Sequence, residues 1–494
     1  MNSSLSRKIL FWILTFLFLF SATSIIIYSF GYRFNRERGI FVYTGSVTIK
    51  TTLKKIRIYL DNKKIPDRKI DFLNYAYNID GIHPGEHFLS IVADKHQTWQ
   101  KHIIVHSGIS TEFWNIFLAK THYQENFYFS NYNLINFFIA PSNKKIALEE
   151  RKGKRIVISL LKIQGKLFGE FTKTNIFASD KFSFLPLNSE NIEWSPNERQ
   201  LIIPLLDQEK NFQYFIYTLK TKEIINLNEI LSQHNFPFSQ EIKQVRWDDK
   251  KKNRLFFLAH HNLYALYLDK INNETYQPQK ILENIVAYNI SDKELYFLSS
   301  LDAIIYRIAG ESYQDPQSVT QPFSDKVLQP STKIVIYDKT RGFIIDNERN
   351  LYIYNQGERK YYQKLLNNNI INAQFSDDGK KLLYWNNNEI FVYFTRDWKT
   401  QPIRSEDEIQ NITRFSQKIN NVQWYKDYEH IIFNAGKQIK IIELDQRDYR
   451  NMQDLFTCSN ASAKITFNSF EDRLYFIHKH NHLQNLSYIT LKEK

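Results

Sequence analysis

The chain contains very little cysteine: Cys458 is the single copy in 494 residues. One cysteine excludes an intramolecular disulfide and a cysteine-based zinc site. The sequence also lacks the short motifs of common enzymes, namely a glycine-rich phosphate loop, a Gly-x-Ser-x-Gly elbow and a His-Glu-x-x-His pair. We therefore expect no catalytic residue, no cofactor and no metal ion.

Long basic runs and nucleic-acid motifs are missing as well, although the formal net charge is +13. We expect no nucleic-acid partner. The basic charge attracts anionic lipid or acidic cell-wall polymer, and the alternative is an ordinary solvated surface. The residues that are present, 43% hydrophobic and 15% aromatic, supply large cores and favour strands. The length allows two or three domains.

An apolar segment lies near the N-terminus. No charge occurs between Lys8 and Arg33, and about 20 apolar residues cross a hydrocarbon core of about 30 Å as a helix. The pattern predicts a transmembrane anchor at residues 9–32 after a cytoplasmic tail at residues 1–8. A signal peptide cleaved near Ala22 is the alternative, but apolar residues resume at Ile25.

Positive charges flank both ends of this segment, so the positive-inside rule is nearly balanced. The tail ahead of it is too short to fold alone, which favours export of the bulk of the chain. We expect a single-pass protein of the cell membrane that contacts the lipid bilayer through residues 9–32. A linker at residues 33–44 would lead to the extracytoplasmic part.

Short alternating apolar runs separated by turns predict strands at residues 45–119, with Trp99 as a core residue. The turn at Pro84–His87, followed by the strand at Phe88, by Trp99 and by the strand at Ile103, resembles a PEGA domain. The resemblance implies a small extracytoplasmic β-sandwich without catalysis, often found beside a membrane anchor. An Ig-like spacer domain is the alternative.

Residues 120–494 repeat one element, an aliphatic residue, any residue and then an aromatic residue. It recurs about every 45 residues, which is the spacing of propeller blades. Polar turns and further apolar runs follow most copies, and an earlier copy starts at Phe137. The other copies are Ile192-x-Trp194, Val245-x-Trp247, Val286-x-Tyr288, Val335-x-Tyr337, Ala373-x-Phe375, Val422-x-Trp424 and Ile465-x-Phe467.

These units predict a β-propeller of eight blades, with seven as the alternative. The last unit shows three strands, and Asn126–Phe129 would add a fourth that closes the ring. The turns at Trp194–Asn197 and Phe375–Lys381 resemble those of TolB-type, WD-like propellers, which implies the fold and no chemistry. The predicted fold class is therefore all-β: an N-terminal transmembrane helix, a small PEGA-like β-sandwich and a C-terminal β-propeller.

Four groups of residues could form a site. His478, His480 and His482 occupy alternate positions, so on a strand they would share one face and could bind a metal. They lie, however, around a predicted hairpin turn. The pairs Asp248–Asp249 and Asp377–Asp378 fit turns better than acid/base or calcium chemistry. The first-strand aromatic residues fit packing between blades better than glycan stacking. The irregular segments Asn228–Phe238 and Gly310–Thr332 are predicted to form a recognition surface on one face.

The function predicted from these features is a non-catalytic, membrane-anchored binding or scaffold protein of the cell envelope. Its expected partner is an envelope protein or an anionic cell-wall polymer. One alternative is an enzyme that processes cell-wall glycan, which would need convergent carboxylates at the propeller channel. Another is an adhesin for anionic polymer, suggested by the net charge of +13.

Overall fold

The structure, a computed structural model, describes residues 3–35, 39–66, 69–71, 76–128, 130–163, 171–186, 190–271, 277–310, 313–329, 331–357, 361–461 and 463–492. Within these ranges one helix, α1 (Ser3–Ser29), contains a segment, Arg7–Ser29, that is long and apolar enough to cross a membrane. Two strands follow it, β1 (Tyr32–Asn35) and β2 (Ile40–Tyr43), which pair as an antiparallel hairpin. The segment expected to be a linker therefore contains paired strands.

Two four-stranded sheets form a small β-sandwich, as predicted. One sheet has the order β10-β3-β7-β6 and the other the order β5-β4-β8-β9. Alternating apolar side chains from both sheets, including Val47, Ile91 and Trp99, share one core. The strands are β3 (Gly45–Thr51), β4 (Arg57–Leu60), β5 (Lys63–Lys64), β6 (Lys69–Asp71), β7 (Ala76–Ile82), β8 (Gly85–Val92), β9 (Trp99–Val105) and β10 (Ser110–Ile116).

Eight antiparallel sheets follow in the described part of residues 120–494, which confirms the propeller and its predicted blade number. Blade 1 comprises β12 (Asn133–Ile139), β13 (Lys145–Lys152), β14 (Arg155–Ile163) and β15 (Phe171–Ser179), and blade 2 comprises β16 (Ser183–Phe184), β17 (Glu193–Trp194), β18 (Gln200–Leu206), β19 (Phe212–Thr218) and β20 (Glu223–Asn226). Blade 3 comprises β21 (Lys243–Trp247), β22 (Arg254–Ala259), β23 (Asn262–Tyr267) and β24 (Gln279–Leu282). Blade 4 comprises β25 (Ile285–Ser291), β26 (Glu294–Ser299), β27 (Ile305–Ile308) and β28 (Gln317–Ser318).

Blades 5 to 7 have the same meander order. Blade 5 comprises β29 (Lys333–Asp338), β30 (Arg341–Ile345), β31 (Leu351–Gln356) and β32 (Tyr361–Asn367). Blade 6 comprises β33 (Asn372–Phe375), β34 (Lys381–Trp385), β35 (Glu389–Phe394) and β36 (Ile409–Arg414). Blade 7 comprises β37 (Ile419–Trp424), β38 (His430–Ala435), β39 (Gln438–Glu443) and β40 (Met452–Thr457).

Blade 8 is built from both ends of the propeller sequence. Its three C-terminal strands are β41 (Ile465–Asn468), β42 (Arg473–His480) and β43 (Leu483–Thr490), and β11 (Asn126–Tyr128) pairs with β43 as the fourth. The pairing confirms the predicted ring closure at Asn126, although Phe129 lies outside the described residues. One core cluster continues from blade 7 through blade 8 into blade 1, so the ring is packed across the closure.

The repeated aromatic residue packs between blades, as predicted. Trp194, Trp247 and Trp424 are at least 92% buried. Each indole N–H donates to a backbone carbonyl of the preceding blade, and that carbonyl always belongs to the middle residue of the repeated triplet. The acceptors are Phe138 at 3.3 Å, Glu193 at 3.4 Å and Gln374 at 3.2 Å.

The two faces of the propeller differ in what covers them. The proximal face carries the turns between the first and second strands of each blade and the loops between the third and fourth. The small β-sandwich docks there, on the loops of blades 6 and 7. The distal face carries the turns between second and third strands and the connections between blades, and it lies opposite the sandwich.

Candidate binding site at the distal channel mouth

Charged side chains line the propeller channel at blades 2 and 3. Glu193 is the middle residue of the triplet on β17, and Arg246 is the middle residue on β21. Because alternate side chains of a strand point to opposite sides, the buried residues flanking each of them place both charges toward the channel. Glu190 and Gln244 lie beside them, nearer the distal end.

Glu190 is held by two hydrogen bonds. Its carboxylate accepts from the Tyr214 hydroxyl at 2.8 Å and from the backbone N–H of Gln244 at 2.8 Å. Burial in the channel wall raises the pKa of Glu190, while the charge of Arg246 opposes that shift. Both oxygen atoms of this carboxylate are therefore engaged in holding the wall together.

Glu193 and Arg246 form an ion pair with Arg246 Nη1 at 2.8 Å from Glu193 Oε2. The second oxygen of Glu193 accepts the backbone N–H of Trp247 at 3.1 Å, so this side chain links blade 2 to blade 3. Lys333, on the first strand of blade 5, donates to Asn372 Oδ1 at 2.9 Å. Its pKa is lowered first by desolvation and then by repulsion from Arg246. The channel thus holds the cations Arg246 and Lys333 close to Glu193, whose two carboxylate oxygen atoms are already bound.

A groove of about 470 Å³ opens beside this cluster on the distal face. Gln244 binds Glu190 at the channel mouth and also lines the groove, so the two form one continuous site. The floor is apolar and the rim mostly basic or neutral. The floor residues are Phe212, Ile242, Leu258, Ile285 and Val286, and the rim residues are Lys210, Gln240, Glu241, Lys243, His260 and His261.

A second, more polar groove of about 800 Å³ lies on the same face, at blades 5 to 7. Arg349 and Arg414 stand at its edges, and Asn386–Asn388 form its wall. The side chain of Arg414 is 79% exposed and lies 3.9 Å from Glu389, a distance that leaves the guanidinium largely available to a ligand. The distal face therefore has two grooves with positive charge at their edges.

The predicted irregular segments meet this face in different ways. Asn228–Phe238 contains most of a short helix, α2 (Leu227–Gln233), which the Asn226 side chain caps. Leu231 and Phe236 are buried in the core of blades 2 and 3, and Asn228 donates to the carbonyls of Phe212 and Ser239. This segment supports the wall of the groove through its buried residues and exposes Glu229, Ser232, Gln233, Asn235 and Pro237.

Gly310–Thr332 does not lie on one face, which corrects the expectation in part. It starts at a loop on the proximal face, crosses the blade as β28, and reaches the distal face only after Ser318. There a 3-10 helix at Asp325–Val327 buries Val327 against blade 5. Only the second half of this segment can belong to a distal surface.

The three predicted histidines are brought together in part. His478 and His480 share one face of β42, with ring centroids 5.2 Å apart, whereas His482 lies in the hairpin turn. His480 Nε2 lies 2.9 Å from Glu125 Oε1, and the ring stacks on Phe127. Among the described residues no group of three histidine, cysteine or acidic side chains could hold a metal ion.

The two aspartate pairs lie in turns between first and second strands, as predicted. Asp248 is buried against the Arg254 guanidinium. Asp378 accepts the backbone N–H of Lys380 at 3.0 Å within its own turn. These carboxylates serve the turns, whose local amides and cations they satisfy.

A buried ion pair between the sandwich and the propeller was missed in the sequence. Lys101 is fully buried, and its ammonium lies 2.7 Å from Glu443 Oε1, while the Trp99 indole donates to the other oxygen at 2.8 Å. A signal existed, because Lys101 occupies an inward position between Trp99 and Ile103 on β9. Lys101 also donates to the backbone carbonyls of Asp445, Arg447 and Tyr449.

No protein-family model and no curated protein matches the chain. Solved structures with a similar fold include a eukaryotic initiation factor, at 9% identity and a TM-score of 0.45, over 76% of this chain and 90% of that one. Kluyveromyces lactis Hsv2p has 8% identity and a TM-score of 0.39 over 66% and 98%. The propeller domain of Myceliophteria thermophila Cps50 has 10% identity and a TM-score of 0.34 over 62% and 98%.

These likenesses are too distant to inform function, and the strand pairing itself defines the class. The chain is a β-propeller protein with an N-terminal apolar helix and a small β-sandwich docked on one face.

Proposed function

We propose that this protein is a non-catalytic binding module that α1 anchors in the cell membrane and that presents the distal face of its propeller to a partner in the cell envelope. The observation that carries the proposal is the division between the two faces. The sandwich covers the proximal loops of blades 6 and 7 through the buried Lys101–Glu443 pair, and a groove of about 500 Å³ beside Thr340 and Gln356 is also on that face. On the distal face two grooves, of about 470 and 800 Å³, lie away from the sandwich. In this arrangement the sandwich is a PEGA-like domain that acts as a spacer, and the TolB-like propeller is the domain that recognises the partner.

The distal groove at blades 2 to 4 suits an extended acidic and apolar segment of an envelope protein. Its apolar floor offers surface for hydrophobic side chains, and Lys210 and Lys243 offer charge for carboxylates. We assign Glu190 and Glu193 a structural role in the channel wall, because each of their four oxygen atoms is hydrogen-bonded or paired within the protein.

Photo-crosslinking in intact cells tests the recognition face. A photoreactive amino acid at His261, on the groove rim, should give discrete adducts with a partner. The matched control is Phe470, which is 83% exposed on the proximal face. Equal adducts from both positions, or none from His261, would count against the distal groove.

External protease that leaves the propeller intact until the cells are lysed would contradict the exported location.

An anionic cell-wall polymer is the second candidate partner, favoured by the lysines at the groove rim and by the net charge of +13. We expect Lys210→Gln together with Lys243→Gln to weaken retention on such a polymer, and wild-type retention to fall with salt. The control is Lys220→Gln with Lys222→Gln, on an exposed proximal loop. Retention that ignores salt would exclude this candidate.

A further inference from the structure

The hairpin that follows α1 gathers its aromatic residues on one face. Across the two strands Tyr32 pairs with Tyr43 and Phe34 pairs with Phe41. Directly opposite residues share a face, and every second pair returns to it. The ring centroids are 4.9 Å apart in the tyrosine pair and 5.3 Å apart in the phenylalanine pair. The described part of the chain leaves these rings between 38% and 59% exposed.

On the other face of the hairpin, Arg33 contacts the end of α1. The Arg33 guanidinium lies 3.4 Å from the centre of the Tyr28 ring on α1. It also donates to the backbone carbonyls of Tyr28 at 2.8 Å and Tyr32 at 3.0 Å. The face that carries Arg33 and Val42 is therefore tied to the end of the helix, and the phenylalanine pair lies on the opposite face.

The junction of helix and hairpin is closely tied to the sandwich. Gly31 has a φ of 88°, a left-handed conformation that ends the helix. Its carbonyl accepts the backbone N–H of Thr44 at 3.0 Å and the Thr44 hydroxyl at 2.6 Å. The carbonyl of Thr44 in turn accepts the N–H of Gly108 at 3.0 Å. Helix end, hairpin and sandwich are thus linked by consecutive hydrogen bonds.

We infer that the aromatic face of the hairpin lies in the headgroup region of the bilayer that α1 crosses. This inference rests on the proposed membrane anchorage. The exposed apolar surface continues from α1 through Phe30, which is 65% exposed, to Phe34 and Phe41. Tyrosine and other amphipathic aromatic side chains concentrate at this depth. A two-stranded hairpin is marginal in water by itself, and burial of its rings in lipid adds to the stabilisation from its links to the helix end and the sandwich.

The consequence is a fixed orientation of the whole protein. A hairpin lying in the interface holds the sandwich at the membrane surface, and the sandwich holds the proximal face of the propeller. The distal face then points away from the bilayer and toward other envelope components.

Depth measurements on the full chain test this inference. Single cysteines at Phe34, Phe41, Ile40, Phe16 and Leu301 would carry an environment-sensitive fluorophore, in vesicles of equal parts phosphatidylcholine and phosphatidylglycerol. Lipids with a spin label near the headgroup or deep in the acyl chain serve as quenchers. Cys458 is 2% exposed, and burial raises the pKa of its thiol to about 12, so it does not compete for the label.

We expect the headgroup quencher to dim probes at Phe34 and Phe41 several-fold more than those at Ile40 or Leu301. Ile40 is the matched control, because it is 54% exposed but belongs to the opposite face of the hairpin. Leu301, 77% exposed on the distal face, reports bulk water. Phe16, in the middle of α1, should respond mainly to the deep quencher.

The outcomes separate this inference from the anchor. Probes at Phe34 and Phe41 that behave like Leu301 while Phe16 is quenched would overturn the hairpin inference and leave the anchor standing. An unquenched probe at Phe16 would overturn both. Probes at Phe34 and Phe41 that are shielded from water yet unquenched by lipid would assign the aromatic face to a protein contact, such as a second copy, and overturn the lipid assignment.

Discussion

At the scale of single residues, the buried Lys101–Glu443 pair determines how the sandwich is held on the propeller. Lys101→Met leaves the Glu443 carboxylate buried without its cation, and breaking such a pair costs about 3–5 kcal/mol. We expect the junction between the two domains to become sensitive to limited proteolysis and the unfolding temperature to fall.

The matched control for this substitution is Lys440→Met, whose partner Asp454 is 54% exposed. It should change stability by less than about 1 kcal/mol. A double variant with Lys101→Met and Glu443→Gln should recover part of the loss, since no unpaired charge then remains. Equal effects of the two single lysine variants would contradict a special role for Lys101.

Glu149 should make stability depend on pH. Burial raises its pKa to about 7, against the opposing effect of Lys464. The unfolded chain releases this proton near pH 4.3, so between about pH 4 and 7 the folded state binds more protons than the unfolded state. Stability attributable to this group therefore falls as pH rises through that range.

The variant Glu149→Gln does not titrate and should lack that fall. We expect the free energy of unfolding of wild type minus that of the variant to decrease from pH 4 to pH 7 in chemical denaturation. Glu112→Gln is the control, because it makes the same change at a carboxylate that is only half-buried. Parallel pH curves for wild type and Glu149→Gln would refute the assignment.

At the scale of the strand, the repeated triplet accounts for how neighbouring blades are joined. Trp247→Phe keeps the ring between blades but leaves the carbonyl of Glu193 without its indole donor. We expect a loss of at least about 1 kcal/mol in unfolding free energy, because the hydrogen bond is lost and the smaller ring leaves part of the buried Trp247 volume unfilled. Trp114→Phe is the control, since that indole binds Glu112 within its own strand. An equal loss for both would argue against the link between blades.

The same triplet explains why the blades could be predicted. In blades 2, 3, 6 and 7 its buried flanking residues alternate with a more exposed middle residue, and that period is visible in the sequence. The charged middle residues Glu193 and Arg246 were not singled out in the sequence, because their pairing depends on two blades meeting in space. The hairpin at Tyr32–Tyr43 was not predicted because residues 33–44 were assigned to a linker, and its cross-strand aromatic pairs depend on register.

The docking of the sandwich could not have been predicted from the sequence. Lys101 is out of place in the apolar alternation of β9, but nothing near it in the chain indicates Glu443 as its partner. The path of Gly310–Thr332 across a whole blade was missed for a similar reason. Its first half lacks an apolar period, so the sequence gives no sign of which face it occupies.

At the scale of the whole molecule, the ring is closed without a covalent bond, by β11 on β43. Phe127 and Ser487 are direct partners in that pair, so the variant Phe127→Cys with Ser487→Cys can form a disulfide across the closure. A cross-link between distant parts of a chain stabilises by about 2–4 kcal/mol. If unfolding begins where the ring opens, the oxidised variant should unfold at higher denaturant and more slowly than the same variant after reduction. Identical curves for the oxidised and reduced forms would place the first opening elsewhere, at a seam between two consecutive blades.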